Sequence, residues 1–594
     1  MKKLMTGNEA IARGVYESGT HFASAYPGTP STEILQNITQ YKEVIAEWAP
    51  NEKVALEAVI GASLVGGRSI AAMKHVGVNV AADPLFTYSY SGVLGGMILV
   101  TADEPGMHSS QNEQDNRNFA PFAKIPMFEP SNSQEAKDFV KDAFELSEEY
   151  DTPVLFRVTT RVCHSKGIVE LGEREEVEVK EYVKNVRKNV AVPAFATDAR
   201  HRVEVRTNKL RELSNNCKWN YATYNDRKIG VIASGGAYEY AQEAFGDKAS
   251  YLKLGFTYPL PTTLIEEFAK EVETLYIIEE NDPYIENHVK LLGVECIGKD
   301  LFPYTGEMTS DVIRECVYEE KIETLGVNAE KIVNRPPTFC PGCPHRPFFL
   351  DLGKRKNTII AGDIGCYALG FGEPYNAMDW IVCMGGSFST GHGAQKVLNR
   401  NKDNEKRLVS VMGDSTFFHT GVNSLLDVVY NNSNTINVIL DNRITGMTGG
   451  QDNPGTGYQA QGEVTQVVDI EAIVRACGVK HVRRLNPNNT KDVKETLNWA
   501  YLQTEPCVII TDWPCVLKRK YNEDDQVSYP EVFQKKMYVI EDKCIGCRAC
   551  LRTACPPLMW NAEDKKVSID RATCVGCTVC AQVCPTDAIV FEGE

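Results

Sequence analysis

The sequence predicts an α/β chain of several parallel-sheet domains, closed by a small α+β domain at its C-terminal end. Three observations carry that prediction. Apolar runs of strand length alternate with helical stretches, the composition is that of an ordinary globular protein, and regularly spaced cysteines crowd between Cys544 and Cys584. At 594 residues, length alone suggests about four domains. The hydrophobic share is 43% and the charged share 24%, so a sizeable core can be buried. A net charge of −16 argues against nucleic acid and against an anionic membrane surface as partner. No run approaches the ~18 apolar residues of a membrane span, and no secretory signal is expected of MKKLMTGNEA, which lacks a following apolar run.

The elements follow in order. Thr6 and Glu9 form a capping box for a helix that Gly19 ends. Phe22 to Tyr26 reads as a buried strand stopped by Pro27-Gly28-Thr29-Pro30, with Ser31 or Thr32 capping the next helix. Asn51-Glu52 opens a helix that Gly66-Gly67 close. SIAAMK, GGMILVTAD and TPVLFRVTTR are further strands of a first domain, residues 1–165. Residues 166–225 are charged and read as an irregular solvated connection. KIGVIASGGAYEYAQEAF opens a second α/β unit, residues 226–330. Its Ser234-Gly235-Gly236 turn could serve packing or hold a phosphate on a helix N-terminus. Beyond Arg335-Pro336-Pro337, IIAGDIGC, DWIVCMGG, LVSVMGD, INVILDN and PCVIITDW read as strands of a third α/β domain, residues 335–525, followed by the cysteine-rich domain at 535–594.

That last domain holds two triplets spaced C-x₂-C-x₂-C, Cys544-Cys547-Cys550 and Cys574-Cys577-Cys580. Each is followed by a Cys-Pro, at Cys555 and Cys584. This is the bacterial ferredoxin run, in which three thiolates hold one corner of an iron–sulfur cube and the fourth serves the other cube. The expected sets are therefore Cys544, Cys547, Cys550 and Cys584 for one [4Fe-4S] cluster, and Cys574, Cys577, Cys580 and Cys555 for the other. Four residues rather than three separate Cys550 from Cys555. Structural zinc is the bland alternative, but zinc favours pairs of cysteines over triplets followed by proline. Thiolate clusters need a reducing setting, so a cytoplasmic, anaerobic location is expected.

In the third domain, strand LVSVM leads to Gly413-Asp414-Ser415, and strand INVILD leads to Asn442, 28 residues after Asp414. A carboxylate and an amide at neighbouring strand ends lie at the sheet edge where α/β proteins bind ligands. With the carbonyl of Ile444 and two diphosphate oxygens they could complete an octahedral Mg²⁺. Gly385-Gly386-Ser387 through His392 could line a diphosphate, and Thr445 to Gln451, Thr448 among them, offers hydroxyls and amides to anionic oxygens.

The chain resembles the large (alpha) subunits of the indolepyruvate type within the 2-oxoacid:ferredoxin oxidoreductase family. The motifs that carry the resemblance are YPGTPSTE (26–33), NEKVALEAVIGAS (51–63), KHVGVNVAADP (74–84), HSSQNEQDNR (108–117), CPGCPHR (340–346), GDSTFFHTG (413–421), DNRITGMTGGQ (441–451) and the ferredoxin-type tail. Ser415 stands where the related motif, GDG followed by N, has its third residue Gly. The resemblance implies two thiamine-diphosphate-binding-type parallel-sheet domains, with a transketolase-C-terminal-like α/β domain between them and a two-cluster ferredoxin domain last. Glu52 matches the glutamate that contacts the aminopyrimidine of thiamine diphosphate. Thr29 is expected beside the substrate, with Lys74, His75, His108, Arg117, His345 and His392 as further polar candidates. Cys340, Cys343 and Cys366 match three ligands of a possible third cluster whose fourth ligand is not evident. Cys163, Cys217, Cys296, Cys316 and Cys383 are expected to be small core residues.

The activity implied is oxidative decarboxylation of an aryl pyruvate, indolepyruvate or phenylpyruvate, with coenzyme A, giving an aryl-acetyl-CoA, CO₂ and electrons for an external ferredoxin. Other 2-oxoacids (pyruvate or a branched-chain acid), or a non-redox thiamine-dependent decarboxylation, are the alternatives. A smaller beta subunit with a gamma-type domain, in an α₂β₂ assembly, is expected.

Overall fold

Three long apolar strands, Ser69–Lys74, Met97–Asp103 and Val154–Thr159, are buried along nearly their whole length. A strand apolar on both faces demands cover on both, which is the condition of a parallel α/β sheet. They are the centre of a seven-stranded sheet in the order Phe256–Tyr258, Met127–Phe128, Val154–Thr159, Met97–Asp103, Ser69–Lys74, Phe22–Ala25, Ile45–Trp48. All neighbours in it run parallel except the outermost pair, Phe256–Tyr258 against Met127–Phe128. This computed structural model describes residues 1–320, 326–333, 335–401, 405–518 and 536–591. The chain divides into two compact units, Met1–Asn328 and Ala329–Glu594.

In the first unit a second sheet has the order Thr274–Ile278, Ile229–Ser234, Ser250–Leu254, Asn220–Thr223, the last strand antiparallel. Leu56, Val59, Leu99, Ile232, Leu254 and Ile277 belong to one continuous core, so the two sheets share their apolar interior. The capping box forms as expected: Thr6 accepts from the Glu9 amide at 3.1 Å and Glu9 accepts from the Thr6 amide at 2.7 Å. Asn51 caps the helix Glu52–Leu64 by accepting from the Val54 amide at 2.9 Å. Ser31 precedes the helix Thr32–Ile38 without a side-chain cap.

Residues 166–225 depart from the expected irregular connection. They contain a strand, Lys166–Glu170, paired antiparallel with Lys2–Thr6, and a 24-residue helix, Pro193–Asn216. That helix buries Ala199, Val203, Arg206, Thr207, Leu210 and Ser214, a stripe at helical spacing. The Ser234-Gly235-Gly236 turn starts the helix Gly235–Phe245 and is buried against the first sheet, with Arg157 Nη1 4.0 Å from a Cβ built on Gly235.

The second unit carries a five-stranded, all-parallel sheet in the order Thr358–Ala361, Arg407–Gly413, Ile436–Asp441, Cys507–Asp512, His481–Leu485. DWIVCMGG is not a strand. Only Trp380 bridges Ala361, after which the chain turns into the helix Ser387–Leu398. The turn is set by Asp363, whose carboxylate accepts from the amides of Gly385 and Ser387 at 2.7 and 2.8 Å. The expected end of this domain near 525 lies outside the described residues. Residues 536–591 form two short antiparallel ribbons, Met537–Val539 with Ile589–Phe591 and Leu558–Asn561 with Lys566–Ile569.

Candidate active site and iron–sulfur centres

In the first unit, Glu52 is the first residue of its helix and is 7% exposed. A Cβ on Gly77 would stand 2.7 Å from both Cγ and Oε1 of Glu52. Glycine at 77 is what lets that carboxylate settle on the turn that follows the strand Ser69–Lys74. Three residues earlier, a Cβ on Gly28 would stand 3.0 Å from Lys74 Cβ. The Pro27–Pro30 turn, with half-buried Thr29, thus packs on the same segment, and Asn8 holds it by donating to the Pro30 carbonyl at 2.7 Å. The fold therefore gathers Glu52, the Thr29 turn, Lys74 and His75 at the C-terminal edge of the sheet. His75 is buried, its Nε2 3.3 Å from the Asn112 carbonyl, and burial together with the Lys74 charge lowers its pKa. Burial lowers Lys74 too, against the pull of Glu104 at 3.6 Å. His108 lies 3.4 Å from Glu307 with its side chain mostly exposed. Arg117 is buried in ion pairs with Asp115 and Glu279 at 2.6 and 2.7 Å.

In the second unit, Asp414 follows the strand Arg407–Gly413, and Asn442 follows the adjacent strand Ile436–Asp441. Parallel pairing of those strands brings both to one edge. Asn442 Oδ1 faces the Ile444 carbonyl at 2.9 Å and Asp414 Oδ1 at 3.1 Å. Three oxygens, none carrying a proton to share once Asp414 is ionised, converge. In an octahedral Mg²⁺ site with ligands at 2.0–2.1 Å, neighbouring oxygens stand about 2.9 Å apart, so this spacing fits the cation. Turning the amide so that Nδ2 donates to both oxygens is the arrangement that serves a metal-free chain. The second carboxylate oxygen of Asp414 accepts from Asn453 Nδ2 at 2.9 Å and from the Ile444 amide at 3.2 Å. Burial nonetheless pushes the Asp414 pKa up to about 6. Half-buried Ser415 donates its amide to the same carboxylate. Asn442 Nδ2 lies 3.4 Å from Nε2 of buried His345, which burial holds near a pKa of about 4, so the ring is neutral at pH 7.

The remaining expected residues are placed as follows. The amides of Gly385 and Ser387 that flank Gly386 are taken by Asp363, and His392 lies a turn into the helix, 4.0 Å from Asp427. The Thr448 hydroxyl donates to Gln451 at 2.6 Å within a loop that the Thr445–Gln451 bridge closes.

The thiols of Cys544, Cys547, Cys550 and Cys584 line one cavity, and those of Cys555, Cys574, Cys577 and Cys580 line another. These are the two sets expected from spacing. Cys340, Cys343 and Cys366 lie near enough to act on one another's charge, and Cys515, which sequence reasoning missed, acts on the same set. Burial raises Cys366 to about 11, with Cys515 and Cys340 pushing the same way, and Cys343 likewise feels Cys515 and Cys366. The signal lay in the register. Asp441 pairs with Asp512 across parallel strands, so a residue just past 512 must lie beside Asn442. Cys383, expected in the core, is exposed.

Known proteins share this plan. Residues 13–231 match the thiamine-diphosphate-binding family of pyruvate flavodoxin/ferredoxin oxidoreductases, residues 363–511 the C-terminal thiamine-pyrophosphate-binding domain of thiamine pyrophosphate enzymes, and residues 543–588 the 4Fe-4S dicluster domain. Fold and site thus define a subunit of the 2-oxoacid:ferredoxin oxidoreductase class, with thiamine diphosphate and [4Fe-4S] clusters as cofactors. The indolepyruvate oxidoreductase subunit IorA of Archaeoglobus fulgidus is 40% identical over 99% of this chain and 97% of its own length. That of Pyrococcus horikoshii is 40% identical over 100% and 98%. The chain belongs to the indolepyruvate oxidoreductase IorA family. A 2-oxoglutarate:ferredoxin oxidoreductase from Magnetococcus marinus aligns over 54% of this chain and 65% of that one, at 18% identity and a TM-score of 0.45, a likeness too slight to argue from.

Proposed function

We propose that the chain carries out oxidative decarboxylation of aryl pyruvates, indolepyruvate and phenylpyruvate, with coenzyme A as acyl acceptor and ferredoxin as electron acceptor. The observation that carries the metal and diphosphate part is the approach of the Asn442 side-chain amide to both the Ile444 carbonyl and Asp414 Oδ1, at 2.9 and 3.1 Å. When bound, thiamine diphosphate would supply an electron sink for the pair left on the former keto carbon as the carboxylate departs as CO₂. The chain's residues do the rest. Asp414, Asn442 and the Ile444 carbonyl hold Mg²⁺, with Gly413 and Ser415 shaping the turn. Glu52, sunk beside Gly77, shares a proton with the aminopyrimidine. Thr29 sits where a hydroxyl can polarise the substrate carbonyl. Gly386, His392 and Thr448 are kept as residues about the diphosphate, with the Gly386 amide donating to the Cys383 carbonyl and the Thr448 hydroxyl to Gln451 until the ligand is present.

Cys544, Cys547, Cys550 and Cys584 hold one cluster and Cys555, Cys574, Cys577 and Cys580 the other. Cys340, Cys343, Cys366 and Cys515 hold a third, next to Asn442. The domains are residues 1–165, a connection 166–225, 226–330, 335–525 and 535–594. Relatives are named as subunits, which supports a smaller beta subunit and an α₂β₂ assembly. No helix among the described residues is long and apolar enough to cross a membrane, and the thiolate sets favour a cytoplasmic, reducing setting. The test is dye or ferredoxin reduction by the purified complex, comparing kcat/KM for indolepyruvate, phenylpyruvate, pyruvate and 2-oxoglutarate. Aryl pyruvates should lead. Free aldehyde as the sole product, or preference for 2-oxoglutarate, overturns the reading.

A further inference from the structure

Arg346 lies three residues beyond Cys343 and is 3% exposed. Its Nε donates to the Cys340 carbonyl at 3.0 Å and its Nη2 to the Phe339 carbonyl. Its Nη1 donates to the Tyr375 hydroxyl at 3.0 Å, to the Thr553 carbonyl at 3.1 Å and to the Ala554 carbonyl. Tyr375 in turn donates to the Thr553 carbonyl at 2.8 Å. Every partner of the guanidinium is neutral, and among the described residues no carboxylate pairs with it. A guanidinium keeps its proton, and a buried cation among neutral dipoles alone is costly.

The groups nearby that can carry negative charge are thiols. The Arg346 charge is felt by the thiols of Cys343, Cys555 and Cys577 alike. Thr553 and Ala554, which the guanidinium grips, immediately precede Cys555. The Cys340–Cys343 turn also touches the ferredoxin-type module directly. Gly342 lines the cavity of Cys555, Cys574, Cys577 and Cys580. Its φ is +68°, and a Cβ there would stand 2.0 Å from Val575 Cγ2, so only glycine permits this approach.

We propose that Arg346 is a positioning residue for electron transfer, clamping the Cys340–Cys343 turn to the backbone before Cys555 and raising the reduction potential of the cluster held by Cys555, Cys574, Cys577 and Cys580. Net charge around a cluster helps set its potential. Taking up one electron adds one negative charge to the cluster, and a fixed cation in a low-dielectric surrounding favours that reduced state. No proton moves at Arg346, since it is charged in both states. The inference rests on the reading that these four cysteines hold a cluster. Iron and acid-labile sulfide in the purified complex test that reading separately, before Arg346 is in question.

The experiment is an EPR-monitored redox titration of the whole complex carrying Arg346→Gln or Arg346→Lys. Arg346→Gln, with iron and sulfide retained, should lower the reduction equilibrium constant of that cluster about tenfold, or 59 mV for a one-electron couple. Arg346→Lys, which keeps the charge, should stay within about threefold of the unaltered protein. A couple unmoved by Arg346→Gln, or moved equally by both substitutions, overturns the proposal. Should Arg346→Gln fail to assemble, two other variants decide. Cys547→Ser marks the signal of the cluster beside exposed Cys547 and Ile545, and Gly342→Ala, whose Cβ would drive the Cys340–Cys343 turn off Val575, should then lower the potential of the other cluster alone. A potential unmoved by Gly342→Ala overturns the proposal.

Discussion

The backbone N–H of Cys515 donates to the carbonyl of Asn442 at 3.0 Å. One backbone bond thus joins the residue whose thiol acts on those of Cys343 and Cys366 to the residue whose side-chain oxygen faces Asp414. The strands that precede them, Ile436–Asp441 and Cys507–Asp512, are paired in parallel register, so the link follows from the sheet. On the proposed reading, an electron acceptor held by those thiols would lie close to Asp414 and Asn442.

The first prediction concerns that thiol. Cys515→Ser should lower the iron content of the purified complex by one cluster, leaving the two ferredoxin-type EPR signals in place. It should also slow dye reduction far more than it slows substrate binding, because the loss falls on the electron path. Equal iron in the variant and the unaltered protein removes Cys515 from the ligand set.

A second prediction follows from the acid groups at the strand ends. Burial raises Asp414 from 3.8 to about 6, and burial, then the neighbouring Asp414 and Asp512, raise Asp441 to about 8. A carboxyl whose folded pKa lies above its unfolded value stabilises the fold in its protonated form. That contribution is full below about pH 4 and fades as pH climbs through 6 and then 8. Magnesium needs the ionised form, so its apparent affinity should rise about tenfold per pH unit up to roughly 6 and level off above. Melting temperatures at pH 5 and pH 8, with and without Mg²⁺ and thiamine diphosphate, check both halves. The gain on adding them should be larger at pH 8, and Asp414→Asn should erase it. A gain that is the same at both pH values contradicts the assignment.

Glu52 and Gly77 make a third. Glu52→Gln should cut kcat by ~10²–10⁴ while thiamine diphosphate remains bound. Gly77→Ala should reproduce much of that loss without touching the carboxylate chemically, because a Cβ at 77 would stand 2.7 Å from the Glu52 side chain. Steady-state kinetics with cofactor content measured by fluorescence distinguish a displaced carboxylate from a lost cofactor. Full activity in Gly77→Ala would mean the packing against Glu52 is not part of the site.

How much of this could be read from sequence varies with the chemistry of the mark. The ferredoxin-type cysteines were legible because triplet spacing has few other uses, and the two sets expected from it are the sets that line the two cavities. Asp414 and Asn442 were legible because each sits at the end of an unmistakable apolar strand. Cys515 was not, because a single thiol after a strand reads like packing until the strand's neighbour is known. The helix Pro193–Asn216 was hidden by its charge, although Ala199, Val203, Thr207, Leu210 and Ser214 recur at the helical spacing. DWIVCMGG has strand composition, yet the amides of Gly385 and Ser387 donate to Asp363 and turn the chain toward the helix that begins at Ser387, a long-range choice invisible in local propensity.

The last prediction separates a structural cation from a substrate-binding one. Arg117 stands in a motif where an oxyanion partner was plausible, but its guanidinium is already spent inside the first unit. It donates from Nε to Asp115 Oδ1 at 2.9 Å, from Nη1 to Glu279 at 2.7 Å, and from Nη2 to the carbonyls of Glu280 and Asp282 at 2.8 and 3.0 Å. At 1% exposure it faces no solvent and no open edge. Replacing it with alanine would strand the buried carboxylates of Asp115 and Glu279, whose charges it offsets. Breaking one side of a buried ion pair costs about 3–5 kcal/mol, so Arg117→Ala should lower the denaturation midpoint of the complex markedly. The fraction that stays folded should keep its KM for the 2-oxoacid, because the guanidinium is buried and already engaged by Asp115, Glu279 and two backbone carbonyls. An Arg117→Ala complex of unchanged stability but raised KM would reverse that conclusion.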